Sequence, residues 1–231
     1  MNQEVMELER DLGALDLVEI LRLISQRHPG KVVFTSAMGQ EDQVISDVIW
    51  RNHLDIRVAT LDTGRLFQET YSLIEDTRAQ YGQKIEIYFP AASDVENLTS
   101  SKGLFSFYDS VENRKECCNI RKVLPLKRAL SGCEVWVTGV RSEQSKNRAS
   151  MTRVEWDAVH GLIKVNPLID WTLDQVKVHL KENNVPESPL HRKGYVSIGC
   201  APCTRAIEPG EDARAGRWWW ESSKKECGLH G

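Results

Sequence analysis

Apolar residues recur at helical spacing in Leu17, Ile20, Leu21 and Ile24, and the run stops at His28-Pro29-Gly30, which predicts a helix and its end. Lys31 to Thr35 then carries the β-branched run of a buried strand. The loop Ser36-Ala37-Met38-Gly39-Gln40-Glu41-Asp42 follows, and after it a helix bearing Val44, Ile45, Val48 and Ile49. This strand, loop and helix unit repeats. Arg57 to Leu61 reads as a strand, Asp62-Thr63-Gly64 as its exit, and Phe67, Tyr71, Ile74 and Tyr81 as the inner face of a helix. Ile85 to Phe89 predicts a third strand stopped by Pro90, and the stretch through Lys102-Gly103 reads as loop. A helix around Ile120 to Leu130 then leads to a strand at Glu134 to Thr138. Strands alternating with helices predict an α/β fold with a mostly parallel sheet and helices on both faces. Ligands of such sheets bind at the carboxyl ends of the strands.

Beyond Gly139 the pattern changes. Val140 to Arg148 is a polar, arginine-bearing loop, and Met151 to Ile163 reads as a short hairpin. Thr172-Leu173-Asp174-Gln175 forms a capping box ahead of Leu173, Val176 and Leu180, which predicts one more helix. From Asn183 onward Pro, Gly and Cys dominate, and loops are expected. No repeat beyond the strand and helix unit and no low-complexity segment is present.

The 231 residues suit one large α/β domain, or a domain with a functional extension, and are enough to bury a core. Apolar content of 41% and charged content of 27% are those of a soluble globular protein. A net charge of -3 gives no global positive field, so neither nucleic acid nor an anionic membrane is an expected partner, and any anion site is built locally. Met1 to Arg10 is acidic and lacks a secretory signal, and no stretch is long and apolar enough to cross a bilayer, so a cytoplasmic location is expected. In that compartment six cysteines point to metal binding or redox chemistry before structural disulfides.

The Ser36 to Asp42 loop lies where a strand hands over to a helix, so backbone N–H groups and the helix dipole can hold an anion there. It is not a Walker A loop, because no lysine follows the glycine and Glu41 with Asp42 would repel a triphosphate. Asp42 can equally cap the helix, as in an ordinary turn. Cys117-Cys118 and Cys200-Ala201-Pro202-Cys203 are more specific as a set. Adjacent cysteines point in different directions from a helix or strand, so using both on one metal needs a distorted turn. Cys-Ala-Pro-Cys alone resembles a thioredoxin-type dithiol, but Gly199 precedes it and Thr204 to Gly210 follows, where such a dithiol opens a helix after a strand. Four thiolates then suggest zinc or an iron-sulfur cluster, which spacing does not separate. Cys133, beside Val135 and Val137, reads as a buried hydrophobe.

Cations gather near these cysteines in the chain: Arg114, Lys115, Arg121 and Lys122, then Arg141 and Arg148, then Arg214 and Arg217. Singly each is a solvated charge; together, in a net-acidic chain, they suggest a site for a small, highly charged anion. Trp218, Trp219 and Trp220 either pin the chain end onto the body or offer a docking surface to a partner or an adenine ring. In Glu226-Cys227-Gly228-Leu229-His230 a thiol stands among Lys224, Lys225 and His230, which favour its thiolate, and Gly228 and Gly231 make the segment pliable.

Ser36-x-x-Gly39-x-Glu41-Asp42, Leu61-Asp62-Thr63-Gly64-Arg65, Cys117-Cys118-x-x-Arg121-Lys122, Thr138-Gly139-x-Arg141, Gly199-Cys200-x-x-Cys203-Thr204, Gly216-Arg217-Trp218-Trp219 and Glu226-Cys227-Gly228-Leu229-His230 together resemble the assimilatory adenylyl-sulfate reductases of the phosphosulfate reductase family. The likeness runs in order from about Val32 to the end. It implies an adenine nucleotide hydrolase-like domain over residues 1–210 and a tail over 211–231 that carries the catalytic Cys227. It also implies a 4Fe-4S cluster on Cys117, Cys118, Cys200 and Cys203. Family members with all four cysteines generally use adenosine 5′-phosphosulfate (APS), and those without them its 3′-phosphorylated form (PAPS). Substrate contacts are expected from Ser36, Gly39, Asp42, Leu61, Gly64, Arg65, Lys122, Arg141, Arg148, Arg214, Arg217 and His230. One departure is Met38, where many relatives have serine; it leaves Ser36 and backbone N–H groups for the phosphate.

The implied reaction is attack of the Cys227 thiolate on the sulfur of APS, giving an S-sulfocysteine and AMP. The arginines and Lys122 screen the phosphosulfate. A thioredoxin or a glutaredoxin-like protein then releases sulfite, with no electron transfer through the cluster. A homo-oligomer is compatible with this reading. The competing readings are a PAPS or dual-substrate reductase, an ATP-dependent adenylating or tRNA-thiolating enzyme, and a noncatalytic iron-sulfur or zinc regulator. The acidic loop pair opposes the ATP reading, and the regulator leaves Cys227 without a purpose.

Overall fold

The structure, a computed structural model, describes residues 3–145 and 148–221. Helix α1 (Gln3–Leu12) precedes the expected helix α2 (Leu17–Arg27). The N-terminal stretch, read above only as acidic, places Val5, Leu8 and Leu12 on one buried helical stripe. Asp16 caps α2 in a full capping box with Glu19, and the helix ends at His28 as expected.

Strand β1 (Val32–Ser36) leads into α3 (Gln40–Arg51), β2 (Arg57–Leu61) into α4 (Gln68–Tyr81), and β3 (Glu86–Tyr88) into α5 (Ala92–Lys102). Helix α5 replaces the expected loop. It buries Leu98 alone, so no apolar stripe betrays it, and it ends at Gly103 with a φ of 89°. Helix α6 (Val111–Cys118) begins well before the expected Ile120, with Ser110 accepting the Asn113 N–H as its cap. One π-helical turn, Asn119–Val123, joins it to α7 (Leu124–Leu130).

Strand β4 (Val135–Val137) is followed by the hairpin β5 (Val154–Asp157) and β6 (Leu162–Val165), and α8 (Leu173–Glu182) starts at the predicted capping box on Thr172. The six strands lie in the order β3-β2-β1-β4-β6-β5. The β1/β2, β1/β4 and β4/β6 pairs are parallel, and β5 runs antiparallel at one edge. The expected mostly parallel α/β sheet is the architecture found.

The chain divides into two compact units. The first comprises Met1–Thr60, Ser72–Glu86 and Leu130–Ser188. Its core joins Val32, Phe34, Val135, Val137, Ile163 and Val165 of the sheet to Ile20, Leu21 and Ile24 of α2, Ile45 and Ile49 of α3, and Val176 of α8. Burying each such side chain contributes about 1.5–3 kcal/mol. The second unit comprises Leu61–Tyr71, Ile87–Ala129 and Pro189–Gly231, and one of its apolar clusters joins Phe107, Cys200, Cys203 and Trp218 to Cys117, Cys118 and Trp220. No described helix is long and apolar enough to cross a membrane.

Candidate active site

In the second unit Cys117 and Cys118 end α6, and the next turn is the π-helical one. Pro125 has no N–H to give the carbonyl of Arg121, so regular α-helical bonding lapses there, and the Leu124 N–H reaches back to Asn119 instead. This supplies the irregular turn next to the pair. Both thiols line one cavity with Cys200, Cys203, Arg65, Phe107, Arg114, Arg121, Lys122 and Trp218. All four expected cysteines are therefore together.

Hydrogen bonds fix the cysteine loop. The Cys203 N–H donates to the Cys200 carbonyl at 2.9 Å, and the Thr204 hydroxyl to the same oxygen at 2.9 Å. The Leu61–Arg65 segment is bound to this loop. Thr63 Oγ1 lies 3.3 Å from Cys200 Sγ, the Ala201 N–H donates to the Arg65 carbonyl at 2.8 Å, and Arg121 Nη1 donates to the Thr63 carbonyl at 2.7 Å. Gly64, with a φ of 70°, turns the chain so that Arg121 passes beside its Cα. Tyr71 donates to Asp62 at 2.9 Å, and burial with that carboxylate pushes its hydroxyl up to about 12.

Buried cations set the charge balance. Lys122 and Arg217 are 8% and 6% exposed. Burial pushes the Cys200 thiol up, but Lys122, the Thr63 hydroxyl, Arg217 and Arg121 outweigh it and hold the thiol below its usual range. Burial and the neighbouring Cys200 drive Cys203 up to about 12, and burial also raises Cys117 against Arg121 and Arg65. Arg65 lies 4.9 Å from the ring centre of Phe107. The Arg217 guanidinium packs against Gly199 so closely that a Cβ there would overlap it unless the arginine shifted. Arg214 is half-buried.

The Ser36 to Asp42 loop belongs to the first unit. Its helix starts at Gln40, earlier than the sequence suggested, because Asp42 stands in the first turn and Oδ2 accepts the Ala37 and Gly39 N–H groups at 2.7 and 3.2 Å. The Ser36 hydroxyl accepts the Met38 N–H at 3.0 Å and lies 3.4 Å from Met38 Sδ. Met38 itself is buried with a φ of 61°. Arg141 is spent inward on Glu41 at 2.8 Å, on Glu143 at 3.1 Å and on the Trp171 carbonyl at 3.2 Å. Arg148 donates to Gln144. Cys133, also in this unit, is half-buried with Arg57 Nη1 3.5 Å from its sulfur. Cys227 and His230 lie outside the described residues.

The sequence reading gave no role to Thr63, which contacts Cys200, or to Phe107 at the thiol cavity; it left Arg114 among general cations and carried Arg121 in the Cys117-Cys118-x-x-Arg121-Lys122 motif without a contact of its own. Arg114 had a signal, since it precedes Cys118 by four residues and so shares its helix face.

Residues 31–206 match the phosphoadenosine phosphosulfate reductase domain. An adenosine 5′-phosphosulfate reductase of Sinorhizobium fredii strain NGR234 is 50% identical over 231 residues, covering 100% of this chain and 92% of its own length. The protein of the same name from Allochromatium vinosum is 52% identical over 213 residues, 91% of this chain and 83% of that one. Among solved structures, a phosphoadenylyl-sulfate reductase from Candida auris, a phosphate complex, superposes with a TM-score of 0.76 at 30% identity, covering 87% of this chain and 97% of that one. An FMN adenylyltransferase from Candida glabrata shares the fold, with a TM-score of 0.57 at 14% identity over 95% of this chain and 75% of its own. A domain match across the loop, the sheet and all four clustered cysteines, with half-identical relatives along the full length, places the chain in the phosphoadenosine phosphosulfate reductase family.

Proposed function

We propose that this chain reduces adenosine 5′-phosphosulfate to sulfite and AMP, with Cys227 as nucleophile and a dithiol protein of the thioredoxin or glutaredoxin type as electron donor. The observation that carries this reading is the ring of four thiols and four cations around one cavity, in a chain half-identical to proteins named for that reaction. The APS form is favoured over PAPS because the PAPS-named structure is only 30% identical.

The residues fit a 4Fe-4S cluster. Four thiols, those of Cys117, Cys118, Cys200 and Cys203, line one cavity. Four cysteine thiolates are the donor set that such a cluster takes. When bound, the cluster would tie down the four thiolates on Cys117, Cys118, Cys200 and Cys203 and fix the field around them. Lys122, Arg65, Arg217 and Arg214 are assigned to neutralising the phosphosulfate, since a thiolate approaching an unscreened dianion is repelled. Backbone groups of Leu61 and Gly64, with Ser36, Gly39 and Arg148, are assigned nucleotide contacts. Asp42 and Arg141, already committed to their own loops, are assigned the shaping of those loops.

The Cys227 thiolate attacks the sulfonyl sulfur. An S–S bond forms, the S–O bond to the nucleotide breaks, and the electron pair leaves on the AMP phosphate, whose charge the cations meet. A thiolate of the partner then attacks Cys227 Sγ. The electron pair of the S–S bond departs with sulfite, and the partner's second thiol closes its disulfide and restores Cys227. The dithiol loses two electrons and the sulfur gains them.

The test is intact mass spectrometry of anaerobically prepared protein mixed with APS, and separately with PAPS, without reductant. Gain of one SO3 group on Cys227 with APS is expected. Gain only with PAPS reassigns the substrate, and no gain with either, in iron-loaded protein, overturns the reading.

A further inference from the structure

Arg114 stands on α6 one turn before Cys118 and is 2% exposed. Its guanidinium meets Glu221 at two points, Nε to Oε1 at 3.0 Å and Nη2 to Oε2 at 2.9 Å. The two side chains are 3% and 5% exposed. The same guanidinium lies 4.6 Å from the ring centre of Trp218, and that ring meets Arg217 at 4.8 Å. It also interacts with the Cys118 thiol.

Main-chain hydrogen bonds hold the residues that lead to Glu221. The Trp218 N–H donates to the Cys203 carbonyl at 3.2 Å, and the Glu221 N–H to the Trp218 carbonyl at 3.0 Å. Trp218 accepts a φ of 40°, a strained conformation for a tryptophan, inside a fully buried setting. A buried ion pair is a poor device for stability alone, because both charges must leave water and an apolar pair would pack as well. Its particular product is geometry: a planar fork on a carboxylate fixes orientation as well as distance.

Cys227 follows Glu221 by six residues, at most about 20 Å of extended chain. Fixing Glu221 therefore fixes one end of the stretch of chain that carries that thiol. We infer that the Arg114–Glu221 pair is a latch that roots the Cys227 segment on the thiol-bearing helix, making both residues positioning residues for the transfer of the SO3 group. The inference rests on the reading of Cys227 as nucleophile. Reach alone is a weak constraint, since lengthening a flexible linker from six residues to ten lowers effective concentration only about twofold. A root that also sets direction costs far more when lost, because small misplacements at a reacting centre are expensive.

The experiment uses the full chain, prepared anaerobically with its iron. Glu221→Gln removes the latch charge and leaves every residue that lines the thiol cavity in place. A second variant inserts two glycines between Glu221 and Ser222, which keeps the latch and shifts the thiol by up to about 7 Å. Iron content, AMP affinity and the single-turnover rate of SO3 transfer from saturating APS are measured for each. The expected result is iron and AMP affinity within twofold of the parent in both variants, with transfer slowed at least fivefold. Slowing of less than fivefold in the insertion variant overturns the latch, whatever the folding of Glu221→Gln. So does Glu221→Gln slowed only in proportion to lost iron, which would assign Arg114 to the thiol site alone. Parent protein that transfers nothing refutes the proposed reaction itself, whereas a parent that transfers normally beside unslowed variants refutes the latch only.

Discussion

The Cα of Gly139 faces the Asp42 carboxylate so closely that a methyl group there would overlap Oδ1. Glycine at the exit of β4 is therefore a packing requirement of the loop after β1. Gly139→Ala is expected to cost about 1–3 kcal/mol, the usual range for overpacking. For a chain of this length that corresponds to roughly 5 °C in the melting temperature. Calorimetry of Gly139→Ala, Asp42→Ala and the double variant checks the cause. The glycine substitution is expected to cost much less once Asp42 is shortened, and equal costs in both backgrounds would place the strain elsewhere.

Asp42 also predicts a pH dependence. Burial, and then the Glu41 charge, push its carboxyl up to about 7 against the Ala37 and Gly39 N–H groups and Arg148. In the unfolded chain the same group titrates near 4. Between about pH 4 and 7 the folded chain keeps a proton the unfolded chain has lost, so raising the pH favours unfolding. The contribution is greatest below pH 4, declines through the window and is level above it, with a total on the order of 4 kcal/mol. Asp42→Asn mimics the protonated form at every pH. Denaturant titration is expected to find it nearly equal to the parent at pH 3 and more stable at pH 8; the same difference at both would remove Asp42 as the cause.

Asp47, one turn further along α3, carries the opposite sign. Its side chain is 1% exposed and burial opposes its charge, yet His179, Tyr81 and Arg51 hold it below the usual carboxylate range. The contacts are His179 Nε2 at 2.9 Å and the Tyr81 hydroxyl at 2.6 Å. A carboxyl depressed by folding contributes stability that is present above about pH 4 and lost as the pH falls through the folded value. Asp47→Asn is expected to cost about 2–4 kcal/mol at pH 7, with Arg51 discounted because it is half exposed. The cost should shrink toward pH 3, and a pH-independent cost would mean that shape, not charge, is what the site needs.

These buried aspartates mark a limit of reading the chain by pattern. β1, β2, β4 and the capped helix α8 were legible because β-branched runs and a capping box are local signals. Helix α5 was not, since Leu98 is its only buried residue, and Thr99 and Ser101 spend their hydroxyls on carbonyls of the preceding turn. The start of α6 was missed for a related reason: its buried residue is Arg114, whose partner lies 107 positions away. The four cysteines were legible as a set, and the expected distortion beside Cys117-Cys118 is the π-helical turn ahead of Pro125. The inward commitment of Arg141 to Glu41, 100 positions apart, had no sequence signature.

The thiol cavity gives the last prediction. Cys200 is buried in contact with Thr63 Oγ1 and among Lys122, Arg121 and Arg217, cations that favour its ionised form. Thiolate is the form that ligates iron, and serine offers only a hydroxyl that stays protonated at neutral pH. Cys200→Ser is expected to lower iron content at least roughly tenfold, and sulfite formation with it. Cys133→Ser is the internal control, because Cys133 lies in the other unit beside Arg57 and is expected to leave both measurements unchanged. Iron and acid-labile sulfide assays, run beside sulfite formation from APS, separate the outcomes. Equal iron loss in the two variants would mean that any missing thiol perturbs the fold. A Cys200→Ser protein that is iron-free and fully active would show that the four cysteines serve something other than the reaction, and the cations around them would then need no cluster to act on the substrate.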